Sequence, residues 1–291
     1  MSIFYGMVTT SGSKKYTPLA LKSFFETTKL NEADKFFLFD NDGDFEGSLV
    51  PVGARIEVIK NSTPKSFAQN VNQLLDIARE TKADIFFLNN DLVFTPNWGA
   101  PFQTDAPIIL SPVSNREIQY ETAKFKFTNV LSLEDFLANQ VEFEEAIRIH
   151  KTRNLTAMDV VMLPFFCVKL PVSVYSVVGM LDEEYGRGGG EDNDYCVRAV
   201  LAGFRIKYIL ASFVLHFNGR STWGVETKEA TEERCKLFTE HFTKKWGSHL
   251  TRFSIQNDLE LLNRAEVQPH LARRDFQAVI KAIASFDGIT L

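Results

Sequence analysis

This chain of 291 residues is 45% hydrophobic, which is enough apolar sequence to fill one large α/β domain or two small ones. Its 32 Lys and Arg against 37 Asp and Glu give a formal net charge of -5, which disfavours a general attraction to nucleic-acid backbones or anionic lipid. Three scattered cysteines without CxxC spacing, Cys167, Cys196 and Cys235, argue against a disulfide framework or a thiolate zinc site. No basic leader precedes the first apolar run, and no run reaches the roughly 18 uncharged apolar residues of a membrane span. We therefore expect a soluble cytoplasmic protein.

A strand, loop and helix pattern opens the chain and then repeats. Apolar runs predict strands at residues 3–8, 35–39, 55–59, 85–88 and 107–111, and apolar periodicity predicts helices at 18–27 and 66–81. Strands that alternate with helices predict a mostly parallel sheet covered on both faces, with ligands at the carboxyl ends of the strands. Asp40 and Asp91 both lie at such ends.

The second half of the chain departs from this pattern. Residues 115–158 are charged and helical in character, and we interpret them as a helical insertion on the sheet. Strand-like segments return at 160–168 and 205–209, with helical sequence at 192–202 between them. Beyond residue 227 the chain reads as helical to its end. We predict a catalytic domain over residues 1–225 and a helical C-terminal extension over 226–291.

Two asparagines and an aspartate, Asn89, Asn90 and Asp91, follow the predicted strand 85–88 directly. Carboxylate and carboxamide oxygens at a strand end suit a hard divalent cation, and such a cation neutralises a diphosphate leaving group. The other interpretation is an Asn-rich turn, because asparagine tolerates left-handed backbone. The residues alone leave both interpretations open.

Four glycines over residues 186–190 lead directly into the carboxylates Glu191, Asp192 and Asp194. Neighbouring carboxylates raise each other's pKa, so that one of them becomes a usable general base near neutral pH. Acidic residues are also favoured at a helix N-terminus. The two interpretations are compatible, and catalysis is the one we favour.

His216 follows a short apolar strand pattern and precedes a turn that contains Arg220 and Ser221. A lone histidine is more often structural, but this position beside a Gly, Arg and Ser turn suits metal or phosphate binding equally well. Arg220 is a candidate for a donor phosphate oxygen. Weaker candidates for the same role are Lys60, Lys65 and Arg187.

Together these segments resemble the inverting glycosyltransferases of family 2, and in particular their rhamnosyltransferase-like branch. The form of the DXD motif in that branch is similar to DIFFLNND at 84–91, continuing to TPNW at 95–98. Its acceptor-side block is similar to VGMLDEEY at 178–185, GEDNDYCVRA at 190–199 and AGFR at 202–205. Its closing metal-ligand segment is similar to VLH at 214–216 followed by Ser221. The resemblance covers residues 3–221 apart from the insertion.

The resemblance implies an α/β fold of the GT-A, Rossmann-like type, with helices on both faces of the sheet. The implied donor-binding residues are Thr9, Thr10, Ser11, Asp40, Asn89, Asn90 and Asp91, with Asp40 on the base or ribose. Asp91 and His216 would bind Mn2+ or Mg2+. Asp192 would deprotonate the acceptor with help from Glu191, and Gly189 and Gly190 would lie on the acceptor side.

The implied reaction is a single in-line displacement at the anomeric carbon with inversion. The donor would be a nucleoside-diphosphate sugar of UDP, dTDP or GDP type, and the acceptor a glycan, a lipid-linked group, a protein or, less favoured, a nucleic acid. The insertion carries basic residues that suit an acidic acceptor, although a solvated helix face explains them better; they are Lys124, Lys126, Arg148, Lys151 and Arg153. The C-terminal helices are candidates for contacts in a homo-oligomer.

Two departures and two alternatives accompany this interpretation. Asn89 replaces the first acid of a strict DXD motif, and the loop 9–15 lacks the usual Pro-Thr-Tyr-Asn wording. A nucleotidyltransferase would carry a Gly-rich basic loop after the first strand, where this chain has only Gly12 with Lys14 and Lys15. A catalytically inactive sugar-nucleotide or glycan-binding module is the second alternative. It is disfavoured by the coexistence of Asp91, Glu191, Asp192 and His216 in one chain.

Overall fold

The computed structural model describes residues 2–115, 132–153, 156–217 and 226–291. Within these ranges a single nine-stranded sheet forms the centre of the molecule. Its strands are β1 (Ile3–Thr9), β2 (Lys35–Asp40), β3 (Glu57–Lys60), β4 (Asp84–Leu88), β5 (Leu92–Phe94), β6 (Ile108–Val113), β7 (Ala157–Val160), β8 (Cys167–Leu170) and β9 (Arg205–His216).

The strand order is β3-β2-β1-β4-β8-β6-β9-β5, with β7 paired to β9. The first four strands are mutually parallel, and β6 and β9 are parallel to each other. Because β8 is antiparallel to both β4 and β6, β6 and β9 run in the same direction as the first four strands. The reversed strands are β5, β7 and β8. The predicted mostly parallel sheet is confirmed.

The helices are α1 (Thr17–Thr27), α2 (Phe67–Thr81), α3 (Leu133–Ala138), α4 (Gln140–Thr152), α5 (Val172–Val178), α6 (Glu191–Leu201), α7 (Lys228–Trp246), α8 (Ser248–Ser254), α9 (Gln268–Ala272) and α10 (Phe276–Ser285). They cover both faces of the sheet. Successive side chains of a strand point to opposite faces, so neighbouring residues pack against different helices. Phe36 and Phe86 pack with α1, whereas their neighbours Phe37 and Phe87 pack in the core that contains α2.

The sequence patterns locate the first half of the fold closely and the second half less so. Leu92–Phe94, which lies outside the strands predicted from the sequence, forms a separate strand, β5, that pairs antiparallel with β9. The runs 205–209 and 213–215 belong to one strand, β9, because a bulge opposite Pro112 and Val113 keeps β6 and β9 paired. The insertion is helical over α3 and α4, but its end at residues 157–158 already lies in β7. The predicted strand 160–168 is divided between β7 and β8.

The C-terminal helices share the main core with the sheet. Their buried apolar side chains belong to the same cluster as those of α2 and α6; they are Phe242, Trp246, Leu250, Phe253, Val279, Ile280 and Ile283. Asp194 of α6, fully buried, accepts a hydrogen bond from Trp246 Nε1 at 2.8 Å and pairs with Lys245 at 2.8 Å. This end of the chain is therefore anchored at the start of α6.

The sequence also led to expectations about the cysteines, about membrane-spanning helices and about the basic residues of the insertion. The cysteines are free, and Cys167 and Cys196 are buried. In the part of the chain that the structure describes, no helix is long and apolar enough to cross a membrane. Two of the basic insertion residues make hydrogen bonds within the structure. Arg148 donates to the Glu145 carboxylate, and Lys151 donates to the Pro96 carbonyl. Lys124 and Lys126 lie outside the described residues.

Candidate functional site

A cavity of about 250 Å³ lies at the carboxyl ends of β1, β2 and β4, beside the start of α6. This is the edge of the sheet where ligands of α/β proteins bind. The sequence-predicted residues that line it are Thr10, Asn89, Asn90, Gly189, Glu191, Asp192 and His216. The structure thus brings together the turn after β4, the end of β9 and the loop of residues 186–190, which we call the glycine loop.

The turn between β4 and β5 is held at each of its three residues. Asn89 donates its backbone N–H to the Phe166 carbonyl at 2.7 Å. The buried Asn90 side chain donates to Thr17 Oγ1 at 3.1 Å, which ties the turn to α1. The Asp91 carbonyl accepts the backbone N–H of Phe217 at 3.0 Å. The position of the Asp91 carboxylate is therefore set by the backbone around it.

Asp91 and His216 meet because β5 pairs with β9, which places Leu92 opposite His216. Asp91 Oδ1 lies 3.2 Å from His216 Nε2, and both side chains are buried. Asn89 Nδ2 lies 3.5 Å from the same ring nitrogen. The imidazole stacks on Phe166 at a centroid distance of 5.0 Å and an interplanar angle of 12°, so its orientation is fixed.

This donor set fits a divalent cation that takes its other ligands from a substrate. The chain offers two ligating atoms here, Asp91 Oδ1 and His216 Nε2. The described residues contain no group of three or more His, Cys, Asp or Glu that could hold a metal. A cation at this pair would therefore need further ligands from water or substrate. Mg2+ typically keeps several waters and is bound through one or two carboxylates together with substrate phosphates. The pair is therefore suited to a metal bound together with a diphosphate.

The glycine loop turns sharply into α6. Gly190 precedes the helix in a left-handed conformation, with φ of 84°. Gly189 has a φ of 119°, and a Cβ atom at this position would lie 2.4 Å from the Phe238 ring of α7. Both positions require glycine, for conformation at the first and for conformation and space at the second. The loop is thus pressed against the C-terminal helices.

The three carboxylates after the loop have three different environments. Asp192 is partly exposed to the cavity, and its oxygens accept backbone N–H groups of Asn193 at 2.8 Å and Phe165 at 3.3 Å. Glu191 is buried and accepts the Gly189 N–H at 2.5 Å. Burial first, and then the charge of Asp192, raises the pKa of Glu191 above the ordinary carboxyl range. Asp194 is the structural anchor of the C-terminal helices.

The residues predicted to hold the nucleoside are not all in the cavity wall. Thr10 lines the cavity, whereas the buried Thr9 hydroxyl is bonded to Thr17 Oγ1 at 2.9 Å. Ser11 donates its N–H and hydroxyl to Asp42 at 2.6 and 2.8 Å. The fully buried Asp40 accepts the N–H groups of Gly43 at 2.9 Å and Phe45 at 3.1 Å, so it shapes the loop after β2. Arg220 lies outside the described residues.

A cluster of three buried asparagines was not anticipated from the sequence. Asn61 donates to Asn41 at 2.8 Å and to Asn70 at 3.0 Å. Asn41 also bonds both backbone groups of Lys65, accepting from its N–H at 2.9 Å and donating to its carbonyl at 3.0 Å. Asn41, Lys65 and Asn70 line the cavity. Asn41 and Asn61 each follow a predicted strand, which is the signal that could have indicated them.

Arg234 of α7 also lines the cavity and had no sequence signal, because it lies 46 positions after the residue it holds. It donates to the Gly188 carbonyl at 3.1 Å and pairs with Glu226 at 3.1 Å. Arg187, weakly indicated by the sequence, lines the same wall and approaches Glu226 at 3.5 Å. The C-terminal helices thus contribute a cation to the cavity.

No protein-family model and no curated protein sequence matches the chain. Solved glycosyltransferase structures are nevertheless similar to it. A mannosyltransferase from Pyrobaculum calidifontis in complex with GDP-Man and Mn2+ is 11% identical over 99% of this chain and 76% of its own, with a TM-score of 0.52. TarS residues 1–349 from S. aureus in complex with UDP-GlcNAc is 12% identical over 99% and 92%, with a TM-score of 0.51.

GalNAc-T7 with UDP, GalNAc and Mn2+ is 13% identical over 94% of this chain, with a TM-score of 0.56. The matched part spans about half of that protein, 54% of its chain. At these identities the likeness establishes the fold. The chain has the α/β fold of GT-A glycosyltransferases, as the sequence resemblance predicted.

Proposed function

We propose that this protein is a glycosyltransferase that moves a sugar from a nucleoside-diphosphate donor to an acceptor hydroxyl. The observation that carries the proposal is that one cavity of about 250 Å³ is lined by both the Asp192 carboxylate and His216, whose Nε2 lies 3.2 Å from the buried Asp91 carboxylate. The fold supports it, since two of the similar structures are complexes with GDP-Man and UDP-GlcNAc, and a third holds UDP, GalNAc and Mn2+.

The donor lies along the carboxyl ends of the first four strands. Thr10, Asn41 and Lys65 line the part of the cavity that is suited to the nucleoside, and Asn70 supports Lys65 through a bond to its carbonyl at 3.2 Å. Asp40 holds the loop after β2 in place. We assign the contact with the base or ribose, which the sequence predicted for Asp40, to the neighbouring Asn41, because Asn41 lines the cavity. A UDP, GDP or dTDP sugar is the donor class.

Asp91 and His216 would hold Mn2+ or Mg2+, with Asn89 beside them. When bound, the cation supplies positive charge to the departing diphosphate. The chain's own contribution is to hold the two ligating atoms within 3.2 Å of each other through the β5–β9 pairing. His216 keeps its ring plane through its contact with Phe166.

Asp192 is the general base of an inverting displacement. It accepts the proton of the acceptor hydroxyl while the acceptor oxygen bonds to the anomeric carbon and the bond from that carbon to the diphosphate oxygen breaks. Glu191 stays protonated to higher pH because its pKa is raised by burial and by Asp192. A neutral Glu191 adds no second negative charge beside Asp192, the carboxylate that reaches the cavity. This mechanism agrees with the family 2, rhamnosyltransferase-like resemblance.

The direct test is a panel of UDP, GDP and dTDP sugars incubated with the full chain and Mn2+, Mg2+ or EDTA. We expect metal-dependent release of the nucleoside diphosphate from one donor class. A donor that binds but is never cleaved would support the glycan or nucleotide-binding module instead. With pyrophosphate added, its consumption with formation of a nucleoside triphosphate and a sugar 1-phosphate would support a nucleotidyltransferase.

A further inference from the structure

A second cavity of about 250 Å³ lies between the glycine loop and the N-terminal half of α7. Gly186 and Arg187 form one side of this groove, and Ala230, Arg234 and Leu237 form the other. The three α7 residues are spaced by four and three positions, so they share one face of the helix. That face lies opposite the glycine loop, which leads into α6 and Asp192.

The groove exists because α7 changes its packing along its length. In its second half the helix is in close contact with the loop region, with Phe238 against Gly189 and the His241 ring 4.5 Å from the Tyr185 ring. In its first half the small side chain of Ala230 leaves space, and Leu237 is 55% exposed. Ligand cavities are lined mainly by apolar side chains with a few polar groups, and Ala230 and Leu237 give the groove such an apolar wall.

The groove adjoins the proposed donor cavity. Arg187 and Arg234 line both of them. Asp192 lines the donor cavity together with these two arginines. A molecule in the groove therefore has its route to Asp192 past these two arginines.

The charges around the groove cancel. Glu226 pairs with Arg187 at 3.5 Å and with Arg234 at 3.1 Å, and Glu233 provides a second carboxylate. A strongly anionic ligand gains little from such a balanced wall. Apolar surface with a few carboxylate and guanidinium groups at the rim suits a neutral sugar, whose C–H face packs on apolar side chains and whose hydroxyls hydrogen-bond to the rim.

We propose that the groove between Gly186–Arg187 and α7 binds a neutral saccharide unit of the acceptor, with its reacting hydroxyl directed towards Asp192. This inference rests on the proposed glycosyl transfer, and it narrows the acceptor from any hydroxyl compound to a glycan or glycoside. It also gives the C-terminal helices a part in substrate selection.

The test uses saturation-transfer difference NMR on the full chain without donor, with methyl hexosides as neutral probes and hexose 6-phosphates as anionic ones. We expect signals from at least one methyl hexoside in the parent chain. Ala230→Arg, which fills the groove, and Leu237→Ala, which removes its apolar wall, are each expected to lose them. Glu232→Arg adds the same side chain on the opposite face of α7 and is expected to retain them.

Thermal melting of each variant establishes that it is folded. The proposal is overturned if no methyl hexoside gives a signal, if both groove variants bind as the parent does, or if only the hexose phosphates bind. Nucleoside-diphosphate release by the parent chain is measured separately. Its absence together with retained hexoside binding would contradict the glycosyltransferase proposal while leaving the saccharide groove in place.

Discussion

Asp192 and Glu191 are neighbours in sequence and yet are suited to opposite tasks. Asp192 reaches the cavity and is held by two backbone N–H groups, whereas Glu191 turns under the glycine loop and is buried. Hydrogen bonds from N–H groups favour an ionised carboxylate, and burial favours a protonated one. The pair thus places one carboxyl group in the cavity and buries the other, whose pKa is raised first by burial and then by the charge of Asp192.

Replacing Asp192 by Asn is expected to remove transfer and to preserve donor binding. The amide retains oxygen for one backbone N–H but accepts no proton, and loss of a general base lowers turnover by about 10²- to 10⁴-fold. Turnover is measured as nucleoside-diphosphate release with acceptor present, and donor affinity by calorimetry. Asp135→Asn, at an exposed carboxylate of α3, is the control. Unchanged turnover in Asp192→Asn would remove this residue from the role.

Glu191 predicts a specific dependence of stability on pH. Because its folded-state pKa is raised, its contribution to stability is present below the unfolded carboxyl pKa and is lost as the pH rises through the folded value. Glu191→Gln keeps an oxygen for the Gly189 N–H and does not ionise. The melting temperature of the variant should therefore fall less than that of the parent from mildly acidic to alkaline pH. Parallel curves of melting temperature against pH for the two proteins would contradict the raised pKa of Glu191. Glu229→Gln, at an exposed position of α7, is the control.

Asp91 predicts coupled loss of metal and donor. Asp91→Asn preserves the size of the side chain but removes its negative charge, which hard cations prefer in a ligand. Calorimetric titration with Mn2+ alone, and with donor in the presence of Mn2+, should show both affinities lowered. His270→Ala on α9 is a histidine control far from the pair in sequence. Titrations identical to the parent would exclude Asp91 as a ligand.

At the scale of elements, the glycine loop that leads into α6 packs closely against α7. Gly189→Ala is expected to destabilise the fold by more than the approximately 1 kcal/mol that a positive φ costs a non-glycine residue. The additional cost arises because the new methyl group meets the Phe238 ring. Gly203→Ala, at the other end of α6, has a φ of 87° with open space around it and isolates the conformational cost. Urea unfolding of both variants measures the difference, and equal losses would argue against the contact.

The sequence predicts the elements that follow local rules and misses those that depend on distant contacts. The turn Asn89–Asp91 is found because an apolar run ends abruptly before it, and α6 is found from its glycines and acidic first turn. The direction of β5 is missed, because three apolar residues carry no information about which strand they pair with. Arg234 is missed for the same reason, since nothing in the spacing of α7 indicates its contact with Gly188.

At the scale of the whole molecule, the C-terminal helices and the sheet form one hydrophobic core. A chain ending at residue 225 would expose the core surfaces that Phe242, Trp246 and Ile283 cover, and would remove the Trp246 and Lys245 partners of Asp194. We expect this truncated chain to lack a cooperative thermal transition. Circular dichroism and calorimetry on the truncated and full chains measure this. A sharp transition in the truncated chain would show that residues 226–291 are an independent unit, as the sequence division at 225 implies.

The pairing of β5 with β9 has a consequence for how the proposed metal site is lost. Asp91 and His216 are 125 positions apart in the chain, but the rung that joins Leu92 to His216 makes them neighbours. A slip of one residue in this ladder would turn His216 to the opposite face of the sheet. Strand register therefore brings the two residues together, and the contact with Phe166 then sets the plane of the His216 ring. Metal binding should slow amide hydrogen exchange along β5 and β9 before it affects any helix, which makes the cation a reporter of whether two strands are correctly aligned.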